Sequence, residues 1–204
     1  MQYALHSIHM NDDMLQQAYE RFDAANAEDP NQIIVAGIER PKELVFAERL
    51  TEEVITLKPD ASLELQLAAR CQHICRWEVP RNTQPLGRTG YLKWREGLKK
   101  HHAQKAGEIL RNINCPEETI SQVQSLNLKK NLKTDPDCQT LEDALCIVFL
   151  KYQFDELIET TEHEKMVRIV QKTWSKMSPH GHDAAHKITY SKAAQTILSE
   201  ALAQ

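Results

Sequence analysis

One segment of the chain reads Leu67-Ala68-Ala69-Arg70-Cys71-Gln72-His73-Ile74-Cys75-Arg76-Trp77, and it places a single imidazole among small and apolar residues. Leu67, Cys71 and Ile74 recur at the spacing of a helix that buries one side. His73 lies on the flank of that apolar stripe, and an arginine lies on each side of it in the sequence. Because buried polar groups need hydrogen-bonding partners, the segment predicts a helix that carries His73 at the floor of a pocket.

The composition favours helices in the rest of the chain as well. Only six glycines and eight prolines occur in 204 residues, and the abundant residues are good helix formers. Ser62 is placed to cap the start of the helix that carries His73. Residues 33–37 could form a short strand, but the sequence offers them no obvious partner, so we interpret them as an extended loop. Since one domain typically has about 100 to 200 residues, we expect an all-α, single-domain helical bundle over residues 1–204.

Neither a membrane span nor a disulfide framework is indicated. No stretch reaches the roughly 20 apolar residues that cross a bilayer, and the first residues lack the pattern of a signal peptide. We therefore expect a cytoplasmic protein with no membrane partner. The five cysteines are odd in number and form no CxxC pair, which favours buried, reduced thiols.

Positive charge is concentrated between Arg70 and Lys105. This segment holds nine basic and two acidic residues, whereas the whole chain has a net charge of −4. The excess indicates an anionic partner, and the alternative is a solvated basic face. Guanidinium groups bind phosphate oxygens bidentately, and aromatic rings among them can stack a nucleobase or a single strand. The residues that we expect to bind substrate are Arg70, Arg76, Trp77, Arg81, Arg88, Tyr91 and Arg95.

Further polar residues lie on the apolar sides of other predicted helices. Glu48 lies beside a stripe of buried residues, and His102, in contrast to His101, shares a face with leucine, isoleucine and alanine. Glu142 and Asp143 begin the most apolar helix of the chain. Imidazoles and carboxylates that project from different helices build metal and acid–base sites in helical bundles. The alternative is that each of these side chains bonds a backbone carbonyl or interacts with a helix dipole.

Several motifs resemble one family over nearly the whole chain. They are Ala69-Arg70-Cys71-Gln72-His73-Ile74-Cys75-Arg76-Trp77-Glu78-Val79-Pro80-Arg81, Arg88-Thr89-Gly90-Tyr91-Leu92-Lys93-Trp94-Arg95, Leu141-Glu142-Asp143 and Lys172-Thr173-Trp174. On these motifs the chain resembles the domain-of-unknown-function family 4202. The resemblance implies membership of a family without implying a reaction.

A second resemblance is to the HD-domain metal-dependent phosphohydrolases, all-helical proteins whose metal ligands are a His, a His-Asp doublet and a late Asp. Gln72 and His73 align with the doublet. Glu48 falls near the first His, His102 near an accessory His and Asp143 near the final Asp. The resemblance implies an HD-domain-like bundle that holds a divalent metal on His73, His102 and Asp143. Mn²⁺ or Fe²⁺ suits such a mixed imidazole and carboxylate set better than Zn²⁺.

Two functions are compatible with these features. The first is hydrolysis of a phosphate ester, either a nucleotide or another small phosphorylated compound, by an HD-like enzyme in which the metal activates water. Glu48, Glu142 and Lys129 complete its expected catalytic set. The second is a non-catalytic module that binds a phosphorylated ligand or RNA through the basic region from Arg76 to Arg95. The sequence leaves the choice between them, and the oligomeric state, open.

Overall fold

The described part of the chain is all-α apart from one β-hairpin, which confirms the predicted fold class. That the bundle resembles an HD domain stays a prediction. The computed structural model describes residues 2–132 and 134–203, with side chains from residue 12 onward. Its helices are α1 (Gln2–Ala27), α2 (Lys42–Leu57), α3 (Leu63–Cys71), α4 (Arg88–Asn112), α5 (Glu117–Leu128), α6 (Pro136–Tyr152), α7 (Phe154–Thr160), α8 (His163–Trp174), α9 (Pro179–Ala185) and α10 (Lys192–Leu202). Short 3-10 helices span Arg76–Glu78 and Arg81–Thr83. Among the described helices, none combines the length and the apolar character needed to cross a bilayer.

Residues 33–37 belong to a hairpin, so the prediction of an isolated extended loop is wrong. Strand β1 (Gln32–Val35) pairs antiparallel with β2 (Ile38–Pro41). The two residues between the strands, Ala36 and Gly37, have φ angles of 50° and 81°, as a tight two-residue hairpin turn requires. The partner strand escapes sequence analysis because Ile-Glu-Arg-Pro shows no alternation of apolar and polar residues.

Helix α3 ends earlier than its apolar stripe predicts. Ser62 caps its start as predicted, because its Oγ accepts a hydrogen bond from a backbone N–H of the first turn at 3.2 Å. The helix then stops at Cys71, and residues 72–75 form a turn that ends with Cys75 at a φ of 51°. Asn26 Oδ1 accepts a hydrogen bond from Cys75 N at 3.2 Å. The Asn26 side chain therefore replaces the carbonyl oxygen that would accept from Cys75 N if α3 continued. We call residues 72–75 the pocket turn.

Helix α6 lies between two hydrophobic clusters and contributes to both. One cluster packs side chains of α1 to α5 against Leu141 and Val148 of α6. The other packs side chains of α7 to α10 against Ile147 and Leu150. Because a helix that is covered on both sides has no broad polar face in water, the acidic residues of α6 need partners inside the protein.

All five cysteines are buried free thiols, as the sequence predicts. Burial raises the pKa of Cys71 and of Cys146 to about 12. These two groups therefore stay protonated at neutral pH, and a protonated thiol is a poor nucleophile and a poor metal ligand.

Asp143 joins α6 to α9 instead of facing the metal site that the sequence predicts. The residue is 3% exposed, and its carboxylate accepts hydrogen bonds from Ser178 N at 2.8 Å, from Ser178 Oγ and from Gln139 Nε2. Ser178 Oγ in turn accepts from Gly181 N and caps α9. A Cβ atom at Gly181 would lie only 2.7 Å from Asp143 Cγ. The carboxylate is therefore enclosed by groups of the protein that it already binds.

We predict that Asp143→Ala lowers the free energy of unfolding by about 1–3 kcal/mol, because it leaves two partly buried donors of Ser178 without an acceptor. Urea unfolding followed by circular dichroism measures this change. Asp183→Ala is the matched control, since Asp183 is exposed on α9. Equal stability of the two variants would contradict the prediction.

Candidate functional site

A cavity of about 210 Å³ opens among the pocket turn, α4, α6 and the C-terminal ends of α5 and α8. The basic side chains that the described part of the chain places in its lining are Arg76, Arg95, Lys99, Lys129 and Lys176. Glu142 is the one carboxylate in that described lining. An excess of positive charge in a concave site attracts anions. We call this site the basic cavity.

Glu142 reaches the basic cavity from α6 and pairs with two of its lysines. Lys129 Nζ donates a hydrogen bond to Glu142 Oε2, and Lys176 Nζ lies 3.6 Å from Oε1. Burial by itself raises the pKa of Glu142, but the two ammonium groups outweigh it and hold the pKa below its usual value. The structure thus brings Glu142 and Lys129 together in one site. Lys176 was missed by the sequence analysis, because only tertiary packing carries the segment after α8 to this cavity.

Arginines and aromatic rings form one wall of the basic cavity. The Arg76 guanidinium lies 5.1 Å from the centroid of the Trp94 ring, and the Arg95 guanidinium lies 5.8 Å from that of Tyr91. Trp94 Nε1 donates to the backbone oxygen of Val79 at 2.9 Å, which fixes the ring. Cation–π contacts orient guanidinium groups without neutralising their charge. The structure places the predicted residues Arg76, Tyr91 and Arg95 in this lining.

His101 and His102 both bind the pocket turn, although the sequence pattern assigns them to different faces of α4. His102 Nδ1 lies 2.8 Å from Ile74 O, and His101 Nε2 lies 3.1 Å from Cys75 O. Because a carbonyl oxygen only accepts, each of these nitrogens carries a hydrogen. Burial lowers the pKa of His102 to about 3, so its ring is neutral at physiological pH. The imidazoles therefore hold the turn that supplies the floor of the cavity.

His73 lies between Phe46 and the basic cavity and contacts a buried carboxyl group. Its ring stacks on Phe46 with centroids 4.0 Å apart, and its Nδ1 lies 3.4 Å from Glu43 Oε2. Desolvation and the charges of Arg76 and Lys129 lower the pKa of His73 well below 6.5. Desolvation raises the pKa of Glu43 to about 7. A neutral imidazole thus lies beside a carboxyl group that is partly protonated near neutral pH.

Glu43 contacts His73 from outside the basic cavity and was missed by the sequence analysis. Glu48 makes no such contact with the site. Glu43 precedes Ala47 and Leu50 by four and seven residues, so it lies on the same buried face of α2 one turn earlier. Extending the apolar stripe by one turn toward the start of the helix would have predicted that Glu43 is buried. Glu48 instead forms an ion pair with Arg40, with 2.7 Å between Oε1 and Nη2, and it lies outside the basic cavity. The predicted catalytic role of Glu48 has no support in this geometry.

Four of the residues predicted to bind substrate lie outside the basic cavity. Arg70 binds Asp23 bidentately, with donor–acceptor distances of 2.7 and 2.6 Å. Arg81 donates to two backbone carbonyls of its own loop. Trp77 packs partly buried against the first hydrophobic cluster, and Arg88 is exposed at the start of α4. Tertiary and loop contacts, which the spacing of residues in the sequence does not predict, hold Arg70, Arg81 and Trp77 in these positions.

The predicted metal ligands are not brought together. The rings of His73 and His102 have centroids 5.6 Å apart, but Asp143 bonds Ser178 on the α9 side of α6. Among the described side chains, which are those of residues 12–132 and 134–203, no group of three or more His, Cys, Asp or Glu is arranged to hold a metal ion. The donor set therefore does not fit the expected Mn²⁺ or Fe²⁺ site. The lining of the basic cavity also contains one side-chain amide, that of Gln72.

Of three comparisons with known proteins, only the one with family models gives a match. No curated protein and no solved structure matches it significantly, so the similarity to HD-domain phosphohydrolases stays a prediction. The family model described as Domain of unknown function (DUF4202) matches residues 16–198. This match includes the pocket turn and every cavity residue named above. The chain therefore belongs to the domain-of-unknown-function family 4202.

Proposed function

We propose that the basic cavity binds a small phosphorylated compound. The observation that carries this proposal is the set of five basic side chains that accompany one carboxylate in the described lining. Guanidinium and ammonium groups form charge-assisted hydrogen bonds with phosphate oxygens. Glu142 already pairs with Lys129 and Lys176, and Lys99 pairs with Glu96. Arg76 and Arg95 are left to meet a ligand.

The surroundings of Arg76 support an anionic ligand. Burial lowers the pKa of this guanidinium, and its Nε lies 3.8 Å from Glu43 Oε1. That distance exceeds the length of a hydrogen bond, and the carboxyl group of Glu43 is partly protonated near neutral pH because its pKa is about 7. A desolvated cation with an incomplete counter-charge binds an incoming anion strongly.

The size of the cavity favours a compact ligand over RNA. Its volume of about 210 Å³ lies below the roughly 300–1,000 Å³ typical of pockets for drug-sized ligands. RNA binding needs basic and aromatic groups along an open track. Arg81, which lies in the basic region from Arg76 to Arg95, is engaged with two carbonyls of its own loop. We therefore favour a small phosphate ester.

We predict that Arg95→Ala weakens the binding of ribose 5-phosphate by about five- to tenfold, because a guanidinium–phosphate contact contributes roughly 1 kcal/mol or more. Isothermal titration calorimetry measures the affinity. Arg88→Ala is the matched control, because it removes the same residue type from the same helix outside the cavity. For this control we expect an affinity within about twofold of the wild type.

Three results would contradict the proposal. The first is that neither inorganic phosphate nor ribose 5-phosphate binds at millimolar concentration. The second is that Arg95→Ala and Arg88→Ala have equal effects. The third is tight binding of an RNA oligonucleotide, with an affinity that falls steeply with salt, in the absence of binding by the small phosphates.

A second candidate function is hydrolysis of the bound phosphoester, and the contact between His73 and Glu43 favours it. A neutral imidazole that lies beside a carboxyl group can act as a general base. In the proposed reaction, a water oxygen bonds to phosphorus while the ester P–O bond breaks, and the water proton passes to His73. The leaving alkoxide takes a proton from solvent. Arg76 and Arg95 stabilise the charge on the phosphoryl oxygens.

We predict that His73→Asn lowers phosphate release from a panel of phosphomonoesters by at least about 100-fold, the usual contribution of a general base, and that the wild-type rate persists in EDTA. His163→Asn is the control, since His163 is exposed on α8. Loss of activity in EDTA with recovery in Mn²⁺ would instead favour the metal-dependent hydrolysis expected from the sequence. If the wild type binds phosphate esters but releases phosphate from none of them, hydrolysis is refuted and the protein is a non-catalytic binding module.

The buried carboxyl group of Glu43 gives a prediction for the pH dependence of stability. Its pKa rises from 4.5 to about 7 on folding, so its stabilising contribution is complete below pH 4.5 and is lost as the pH rises through 7. We expect the stability of the wild type relative to Glu43→Gln to fall by up to about 3 kcal/mol over that range. Urea unfolding at a series of pH values measures the difference. A flat difference for Glu43→Gln would refute the prediction.

A further inference from the structure

Two hydrogen-bond acceptors at the floor of the basic cavity have no partner within the described part of the chain. They are Gln72 Oε1 and His102 Nε2. Both residues line the cavity, and they are only 4% and 2% exposed. An unpaired buried acceptor costs free energy. A ligand that donates hydrogen bonds to these two atoms therefore binds with a more favourable free energy than an anion that has only acceptors.

His102 can only accept through Nε2. Its Nδ1 donates to Ile74 O at 2.8 Å, which determines the tautomer. Desolvation and the neighbouring His73 lower the pKa of the ring to about 3, so the ring gains no second proton at neutral pH. The cavity therefore has two regions, a cationic wall that donates hydrogen bonds and a neutral floor that accepts them.

A phosphate dianion matches the wall but not the floor, because all of its oxygens are acceptors. A hydroxyl group matches the floor, because its O–H donates to an amide oxygen or to a neutral imidazole nitrogen. We infer that the ligand carries hydroxyl groups beside its phosphoryl group, as sugar phosphates do, and that these hydroxyls donate to Gln72 Oε1 and His102 Nε2. The inference rests on the proposed phosphate site at the wall.

The floor gives the cavity a means of selection among phosphorylated compounds. A site built to pair a hydroxyl group rejects an analogue without it, because the polar groups of the site then stay unpaired. The phosphoryl group supplies affinity that all phosphate esters share. The floor adds a preference for phosphorylated polyols over alkyl phosphates.

Glycerol 3-phosphate and propyl phosphate test this inference. Both have a three-carbon chain with one phosphate, and only glycerol 3-phosphate has free hydroxyl groups. In calorimetric titrations of the full chain, we expect glycerol 3-phosphate to bind about tenfold more tightly. Arg95→Ala should weaken both ligands equally, because the phosphate contact is common to them.

Two variants remove one acceptor each. Gln72→Met keeps the length of the side chain and loses the amide, whereas His102→Asn keeps a donor toward Ile74 O and loses Nε2. Each should reduce the ratio of the two affinities to about threefold or less. Gln17→Met, at an exposed position of α1, should leave the preference intact. If His102→Asn fails to fold, Gln72→Met still tests the inference.

The outcomes separate this inference from the proposed function. Equal affinity for the two phosphates, with both weakened by Arg95→Ala, overturns the inference and leaves the phosphate site in place. Binding of neither phosphate overturns the proposed function. Thermal stabilisation by MnCl₂ alone, abolished in His102→Asn, overturns the inference in favour of a metal ion on the same acceptors.

Discussion

The burial of α6 on both sides is the constraint on which the rest of the structure depends. Leu141 packs into one hydrophobic cluster and Ile147 into the other, so the helix has no broad face in water. Its polar residues therefore have to be satisfied within the protein. Glu142 meets this need with two lysines at the basic cavity, and Asp143 meets it with Ser178 on the opposite side. Two adjacent acids thus have different tasks, because one holds cations at the site and the other docks the C-terminal helices.

The pocket turn connects this scaffold to the candidate site. Its backbone groups bond Asn26 of α1 and His101 and His102 of α4, whereas a longer α3 satisfies the same groups internally. The turn places His73 between Glu43 and the basic cavity. His102 has one nitrogen that binds the scaffold and one that has no partner among the described residues. The structural role of a buried histidine and a role in binding therefore do not exclude each other.

The electrostatics of the cavity follow from burial as much as from charge. Positive charge dominates the wall because the carboxylate of Glu142 is outnumbered by basic groups in the described lining. The floor is neutral because desolvation and neighbouring cations disfavour a proton on His73 and His102. The charge excess of this region was predictable from composition, since charge density along the chain is a local property. The neutral state of the imidazoles was not, because it depends on the packed surroundings.

Contiguous residues account for much of the fold. Helical periodicity and the Ser62 cap are local patterns, and the sequence by itself determined them. The partner of each buried charge, in contrast, does not follow from contiguous residues. Arg70 pairs with Asp23 across 47 residues, and the end of α3 depends on a side chain from α1. Only the tertiary structure decided which carboxylate faces the cavity and which imidazole nitrogen stays unpaired, because these outcomes depend on distances and burial that exist only in the packed chain.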